Sequence, residues 1–263
     1  MRTLLLNGSP IGNDALAALA LVNYGHFTSM QVRGGCIQGL DLHRKRLQSA
    51  TMELFGSELD FERARAHMRQ SISERPDCSL RVTVFCKDFD YRQPAGRFEV
   101  DVLVSAAPPS SAKPHPVRIK SYLFSRMLPH IKHVGTFPLF HHRRLARQSG
   151  YDDALFVDAA GAISEGSVWN IGFVSERTVV WPNSPALGGT AAGLLKRALA
   201  ARETLQEVRE VCLDELASFD AAFACNAAGV WPIGSVDGVG FCGSQRHLAE
   251  LHAALASQAW DAI

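Results

Sequence analysis

The sequence has no pair of cysteines at metal-ribbon or redox spacing. Its six cysteines, Cys36, Cys78, Cys86, Cys212, Cys225 and Cys242, are scattered, which excludes a CxxC zinc ribbon or dithiol centre. Charge of one sign is not in excess: Lys plus Arg total 27 against 26 for Asp plus Glu. No basic footprint for nucleic acid follows from that balance. Long apolar runs are missing as well. The opening MRTLLLNGSPIGNDALAALALV is interrupted by Asn7, Gly8, Pro10 and Asn13 and does not reach membrane-spanning length. Lysine is scarce, with six residues against a majority of arginine, so candidate amine nucleophiles are few. These absences lead us to expect a cytoplasmic protein with reduced thiols, bound to neither membrane nor nucleic acid.

What is present describes a folded protein. Hydrophobic residues make up 47% and charged residues 20% of 263 residues, enough for a large core in one domain or two. The main seam is AAPPSSAKPHP, 106–116, whose prolines fix φ and withhold N–H groups. It predicts a small α/β domain over 1–105, a linker over 106–116 and a larger domain over 117–263. Before the seam, LQSATMELFG and FERARAHMRQSI have helical spacing, and LRVTVFC and FEVDVLVS alternate as strands do. After it, FPLFHHRRLARQSG reads as a helix closed by Gly150. DDALFVDAAGAISEGSVWNIGFVSERTVVWP reads as strands in antiparallel succession with a turn at Gly161. LLKRALAARE and LDELASF read as helical, DAAFACNAAGVWPI as a strand with a tight loop, and QRHLAELHAALASQAW as an amphipathic terminal helix.

Three stretches carry candidate chemistry. Lys132, in PHIKHVG, is flanked by Ile131 and Val134 rather than by carboxylates, a context that favours the neutral amine able to attack a carbonyl. Lys120, in VRIKSYLF, instead shares the polar face of a strand with Arg118. Glu165, in ISEGSVWNIGFV, is a carboxylate at the entry to an apolar strand, either facing solvent or aimed at a buried positive partner. PALGGTAAGLLKRAL is a glycine-rich turn into a helix, where Gly188 and Gly189 admit close backbone approach, Thr190 adds a hydroxyl, and the helix start offers N–H groups to phosphate. His130, His133, His141 and His142 have no Asp, Glu or Cys at ligand spacing, so we expect no metal site there. Cys225 is expected as a small buried residue, and Trp169 and Trp231 as core or pocket wall.

Taken together with GHFTSMQVRGG, LDLHRKRLQSA and ACNAAGVWPIG, these stretches resemble the class IV aminotransferase family over nearly the whole chain. These fold-type IV pyridoxal 5'-phosphate enzymes include branched-chain and D-amino acid aminotransferases and 4-amino-4-deoxychorismate lyase. The resemblance implies a two-domain α/β (α+β type) protein, its larger domain built on an antiparallel-rich sheet or barrel, acting as a homodimer on small amino and keto substrates. It implies that Lys132 forms the Schiff base with pyridoxal 5'-phosphate, that Glu165 pairs with the pyridinium nitrogen, and that Arg46 of the HxxRL motif, three residues after His43, holds the phosphate. Gly189 and Thr190 match the phosphate turn, and Asn226 with Ala227 the second loop. FTS at 27–29 and CNA at 225–227 resemble the lyase, in which Thr28 would assist the lysine. Departures from the family pattern are Ala191 where many relatives have arginine, Gly135, Thr136 and Phe137 after the lysine, and Asp101 where the lyase would place an arginine, with Arg92 or Arg97 as substitutes. Aminotransfer is the leading expectation, the lyase the second, and a cofactor-binding protein without turnover the third.

Overall fold

The computed structural model describes residues 3–113 and 115–263. The chain divides into two compact units. The first comprises Met1–Ser110, Ile131–Gly135 and Ala259–Ile263, and the second Ser111–His130 and Thr136–Gln258. The division falls inside the proline-rich stretch 106–116, of which Pro114 lies outside the described residues. Two later segments nevertheless return to the first unit, so Lys132 belongs there and not with the residues that follow the seam.

The first unit contains strands β1 (Thr3–Leu6), β2 (Ser9–Pro10), β3 (Gly25–Val32), β4 (Cys36–Gln38), β5 (Cys78–Phe85) and β6 (Asp101–Ala107), with helices α1 (Asn13–Val22), α2 (Leu40–Phe55) and α3 (Phe61–Ile72). Five strands form an antiparallel sheet in the order β2-β1-β6-β5-β3. Alternation sends Leu80, Val82 and Val84 of β5 to one face, where they join Met30, Val32, Val102 and Val104 against Leu47 and Phe55 of α2 and Ala64 and Met68 of α3. Gly56 in the left-handed region (φ 62) ends α2, and the Asp60 carboxylate accepts from Arg63 N–H to start α3.

The two returning segments are held by backbone pairing. Phe27 N–H donates to Lys132 O and Val134 N–H to Gly25 O, each at 2.9 Å, so residues 132–134 satisfy the outer edge of β3. The strand Trp260–Ala262 pairs with β4, and Asp261 Oδ2 accepts from Leu40 N–H at 3.2 Å. A remote carboxylate thus serves the start of α2, where Gly39 has no side chain to cap with. The terminal helix expected from the sequence ends before Trp260 for this reason.

The second unit contains β7 (Val117–Leu123), β8 (Asp153–Val157), β9 (Ile163–Gly166), β10 (Asn170–Ser175), β11 (Thr178–Pro182), β12 (Leu205–Arg209), β13 (Ala221–Asn226), β14 (Gly229–Val236) and β15 (Val239–Gly240), with α4 (Phe137–Gln148), α5 (Thr190–Ala201), α6 (Ser244–Ala256) and a 3-10 helix at Leu213–Ser218. Its sheet runs β12-β11-β10-β13-β14-β7-β8-β9, with β15 on β14. Five of the pairings are antiparallel, while β7 is parallel to β8 and β14, and β12 to β11. The expected antiparallel succession fails at one point: β9 and β10 are consecutive but unpaired, and β10 pairs with β13. Gly166 N–H donates to Trp169 O, and the Trp169 ring lies so close that a Cβ at 166 would fall 2.0 Å from it. The turn after Glu165 is therefore closed over a glycine, which redirects the chain.

In the first unit, two imidazole–hydroxyl bonds dock α2 on β3. His26 Nε2 meets Thr51 Oγ1 at 2.9 Å, and His43 Nδ1 meets Thr28 Oγ1 at 2.6 Å. Burial lowers the His26 pKa to about 4, and burial together with the Arg46 charge lowers that of His43 to about 3, against a smaller opposing effect of Asp41. The unfolded chain protonates first, near pH 6.5, so stability is complete above that pH and is lost as pH falls toward the folded values. We expect urea-unfolding free energy to drop between pH 7 and pH 5 by on the order of 2 kcal/mol per histidine. The part due to His43 should vanish in His43→Gln, and a flat profile in the parent would show that these rings are hydrated.

Candidate functional site

The candidate residues lie in both units. In the first, Lys132 is partly buried, and its Nζ sits 5.0 Å from the centroid of the Phe27 ring. The Arg81 guanidinium carbon lies 3.5 Å from the same centroid, and Arg81 Nε donates to Thr83 Oγ1. Two cations therefore meet on one aromatic ring. Neither β3 (GHFTSMQV) nor β5 (CSLRVTVF) contains an acidic residue; Asp101 of β6 shares this face but lies opposite Phe85, four residues along from Arg81, and accepts from Asn7 and Lys87, so the positive charge beside Phe27 suits an anion.

Strand alternation places Ser29 on the Phe27 side and Thr28 on the other. Thr28 is fully buried, its hydroxyl bonded to His43 and reached by Arg46 Nη1 at 3.4 Å. His43 and Arg46, three residues apart on α2, share a helix face. Thr28 and Arg46 are thus brought together, and the Thr28 hydroxyl points to α2 rather than to the face holding Lys132 Nζ.

In the second unit, the remaining candidates collect around the starts and ends of β9, β10, β13 and α5. Glu165 is 4% exposed. Its Oε1 accepts from Arg126 Nη1 and from Leu187 N–H, each at 3.2 Å, and the Arg126 side chain is itself 6% exposed. Of the two orientations open to Glu165, the buried one facing a cation is observed. Asn170 Nδ2 donates to Leu187 O at 2.7 Å, and a Cβ on Gly189 would fall 1.9 Å from Asn170 Oδ1. Any side chain at 189 would have to displace the Asn170 amide from this position. One residue earlier, a Cβ on Gly188 would meet nothing within 4 Å, which leaves open space beside the start of α5 at Thr190. Asn226 Nδ2 donates to Val168 O, and its Oδ1 accepts from Ala228 N–H across Ala227.

Behind the Glu165 turn, Asp153 fixes Ser167. Ser167 Oγ donates to Asp153 Oδ1 at 2.6 Å, while Arg143 grips the same carboxylate with two bonds of 3.0 and 2.7 Å. Burial pushes the Asp153 carboxyl upward, but Arg143, Ser167 and the Ala154 N–H together hold it below its usual range.

Sequence reasoning missed Arg81 and Arg126. Arg81 could have been found as the one charged residue in a strand otherwise made of apolar and small polar side chains; Arg126 has no sequence-local partner to mark it. The proposed substitutes Arg92 and Arg97 are exposed, Arg92 lying against Tyr91 and Asp90. Asp101 is buried and structural, accepting from Asn7 Nδ2 and Lys87 N–H. His142 bonds Pro138 O and packs against Phe124, Phe156 and Tyr122. Among the described residues, no group of three or more His, Cys, Asp or Glu could hold a metal, and no helix is long and apolar enough to cross a membrane. All six cysteines are free thiols, and burial pushes the Cys225 thiol up to about 12.

The family model described as amino-transferase class IV matches residues 25–236. The chain belongs to the class IV aminotransferase family. Solved structures agree in fold. A putative 4-amino-4-deoxychorismate lyase from Legionella pneumophila superposes with a TM-score of 0.83 at 20% identity, covering 94% of each chain. The branched-chain aminotransferase of the thermophilic archaeon Thermoproteus uzoniensis, solved with norvaline, gives 0.83 at 18% identity over 97% of this chain and 96% of that one. The Thermobaculum terrenum branched-chain amino acid aminotransferase in its PLP form gives 0.82 at 18% over 96% and 94%. No curated protein matches the sequence.

Removing the cation beside Glu165 should be costly. We expect Arg126→Met to destabilise the protein by about 3–5 kcal/mol, the usual result of breaking a buried ion pair from one side, and Arg126→Met/Glu165→Gln to recover most of that loss. Urea unfolding of the two variants checks it; equal losses would show that packing of the arginine stem, and not charge, is what matters.

Proposed function

We propose that this class IV family member is a pyridoxal 5'-phosphate-dependent aminotransferase, moving an amino group between an amino acid or amine and a keto acid. The observation that carries the reading is the pairing of the Lys132 segment along β3, which sets the Lys132 amine beside Arg81 over the Phe27 ring. The residues present fit the cofactor: a buried acid, an amine with apolar flanks, a partly buried arginine, and a helix start with open space at Gly188. Lys132 would link covalently to it, Glu165 would pair with its ring nitrogen, and Arg46, Gly189 and Thr190 would hold its phosphate, with Asn226 and Ala227 lining the loop beside it. Bound cofactor supplies an electron-withdrawing ring that stabilises negative charge on the substrate carbon.

The chain's own residues do the rest. Lys132 Nζ would take the proton from the substrate carbon and return it, as general base and acid. Arg81 receives the substrate carboxylate, for which a forked guanidinium is well matched. Glu165 acts as a fixed negative charge.

A second reading, 4-amino-4-deoxychorismate lyase, is favoured by the likeness to the Legionella protein and by Cys225-Asn226-Ala227. In that reaction a hydroxyl would help deliver a proton during pyruvate loss. Ser29, on the Phe27 side of β3, is better placed for it than Thr28. The homodimer is proposed alongside either activity, because Leu123, Met127 and Phe137 of the second unit are 70%, 80% and 76% exposed, large apolar side chains that a second copy would cover.

Borohydride reduction of the protein with pyridoxal 5'-phosphate, followed by peptide mapping, is expected to label Lys132, and Lys132→Ala should lose the label and the visible absorbance while staying folded. Label on Lys120 would sink the assignment. In the unreduced parent, an amino donor should bleach the visible absorbance. Pyruvate release from aminodeoxychorismate, lost in Ser29→Ala, would install the lyase instead.

A further inference from the structure

The fully buried Thr28 hydroxyl takes no part in the proton chemistry derived above, yet it touches both His43 and Arg46. We propose that Thr28 and His43 are positioning residues for a phosphate clamp: they hold the Arg46 guanidinium in place for a phosphate dianion. The inference rests on the reading that Arg46 meets the cofactor phosphate, and extends it to two residues that would not touch the cofactor.

The hydrogen-bond inventory fixes the direction of the chain. A guanidinium can only donate, so in the 3.4 Å contact Arg46 Nη1 gives and Thr28 Oγ1 receives. The single Thr28 proton then goes to His43 Nδ1 at 2.6 Å, which makes His43 the Nε2–H tautomer. A charged His43 would need a proton on Nδ1, pointing at the same hydroxyl and beside the Arg46 cation. Burial and that neighbouring charge keep the ring neutral, so it can accept from Thr28 at any pH at which the protein is folded and active. The acceptor side of Thr28 is thereby always turned toward Arg46. His43 and Arg46 stand one helical turn apart on α2, so the same helix face supplies both the anchor and the clamp, with Thr28 bridging them from β3. His26 and Thr51 pin α2 to the same strand two residues away, which keeps the bridge from opening by helix movement.

The test compares pyridoxal 5'-phosphate with pyridoxal, which can make the same covalent link to Lys132 but has no phosphate. Dissociation constants are read from the absorbance of the linked cofactor. The parent is expected to bind the phosphorylated form far more tightly. Thr28→Val, close in shape but without the hydroxyl, should weaken pyridoxal 5'-phosphate about tenfold, the equivalent of about 1.4 kcal/mol, and leave pyridoxal within about twofold. Thr28→Ser should behave as the parent, and His43→Gln should resemble Thr28→Val. Equal weakening of both ligands in Thr28→Val, or no weakening of either, overturns the proposal. So does a parent with no preference for phosphate, which would remove Arg46 from the role while leaving the Lys132 link intact. A parent that binds neither ligand would instead overturn the cofactor reading itself, and the clamp with it.

Discussion

The outer edge of β3 is the constraint on which the chemistry depends. A strand edge presents unpaired N–H and C=O groups that must be covered, and here the covering segment is the one that carries Lys132. Two backbone bonds decide where the amine lies: they place residue 132 opposite Phe27, and the side chain then reaches the ring. The opposite side of the same strand is occupied by α2, docked through two neutral imidazoles. One strand therefore organises both the amine and the arginine, one on each face, and its own side chains alternate between them.

The second unit meets its constraint differently. A buried carboxylate at Glu165 is tolerable only because Arg126 and the Leu187 N–H face it. The Leu187 loop is fixed in turn by Asn170, and Gly189 is the residue that lets Asn170 come so near. The same loop begins α5, so the position of a helix start and the environment of an acid are set by one short stretch. On the far side of the turn, Asp153 and Arg143 immobilise Ser167.

Much of this was readable from local pattern. The spacing in LQSATMELFG and FERARAHMRQSI marked α2 and α3, alternation in LRVTVFC marked β5, and Gly150 (φ 82) closes α4 as its position suggested. Lys132 stood out because its flanks are apolar, and the two orientations available to Glu165 were stated correctly even though the cation that selects one, Arg126, was not foreseen. The misses share a cause. Pairing between β3 and residues 132–134, between β4 and Trp260–Ala262, and between β10 and β13 is between residues far apart in sequence, and no periodicity records it. Alternation in HFTSMQV says that Thr28 and Ser29 face opposite ways, but only the position of Lys132 says which of them faces the amine.

The carboxylate that serves the start of α2 stands 221 residues away from it in the chain. A helix of this kind can begin to form from its own local contacts, yet its first turn is not finished until Asp261 arrives, and Asp261 can arrive only after the chain has run through the whole of the second unit. Closing so long a loop costs entropy that local contacts do not repay in advance. The first unit is thus the earlier in sequence, yet one of its own hydrogen bonds is closed by a residue that follows the second unit in the chain.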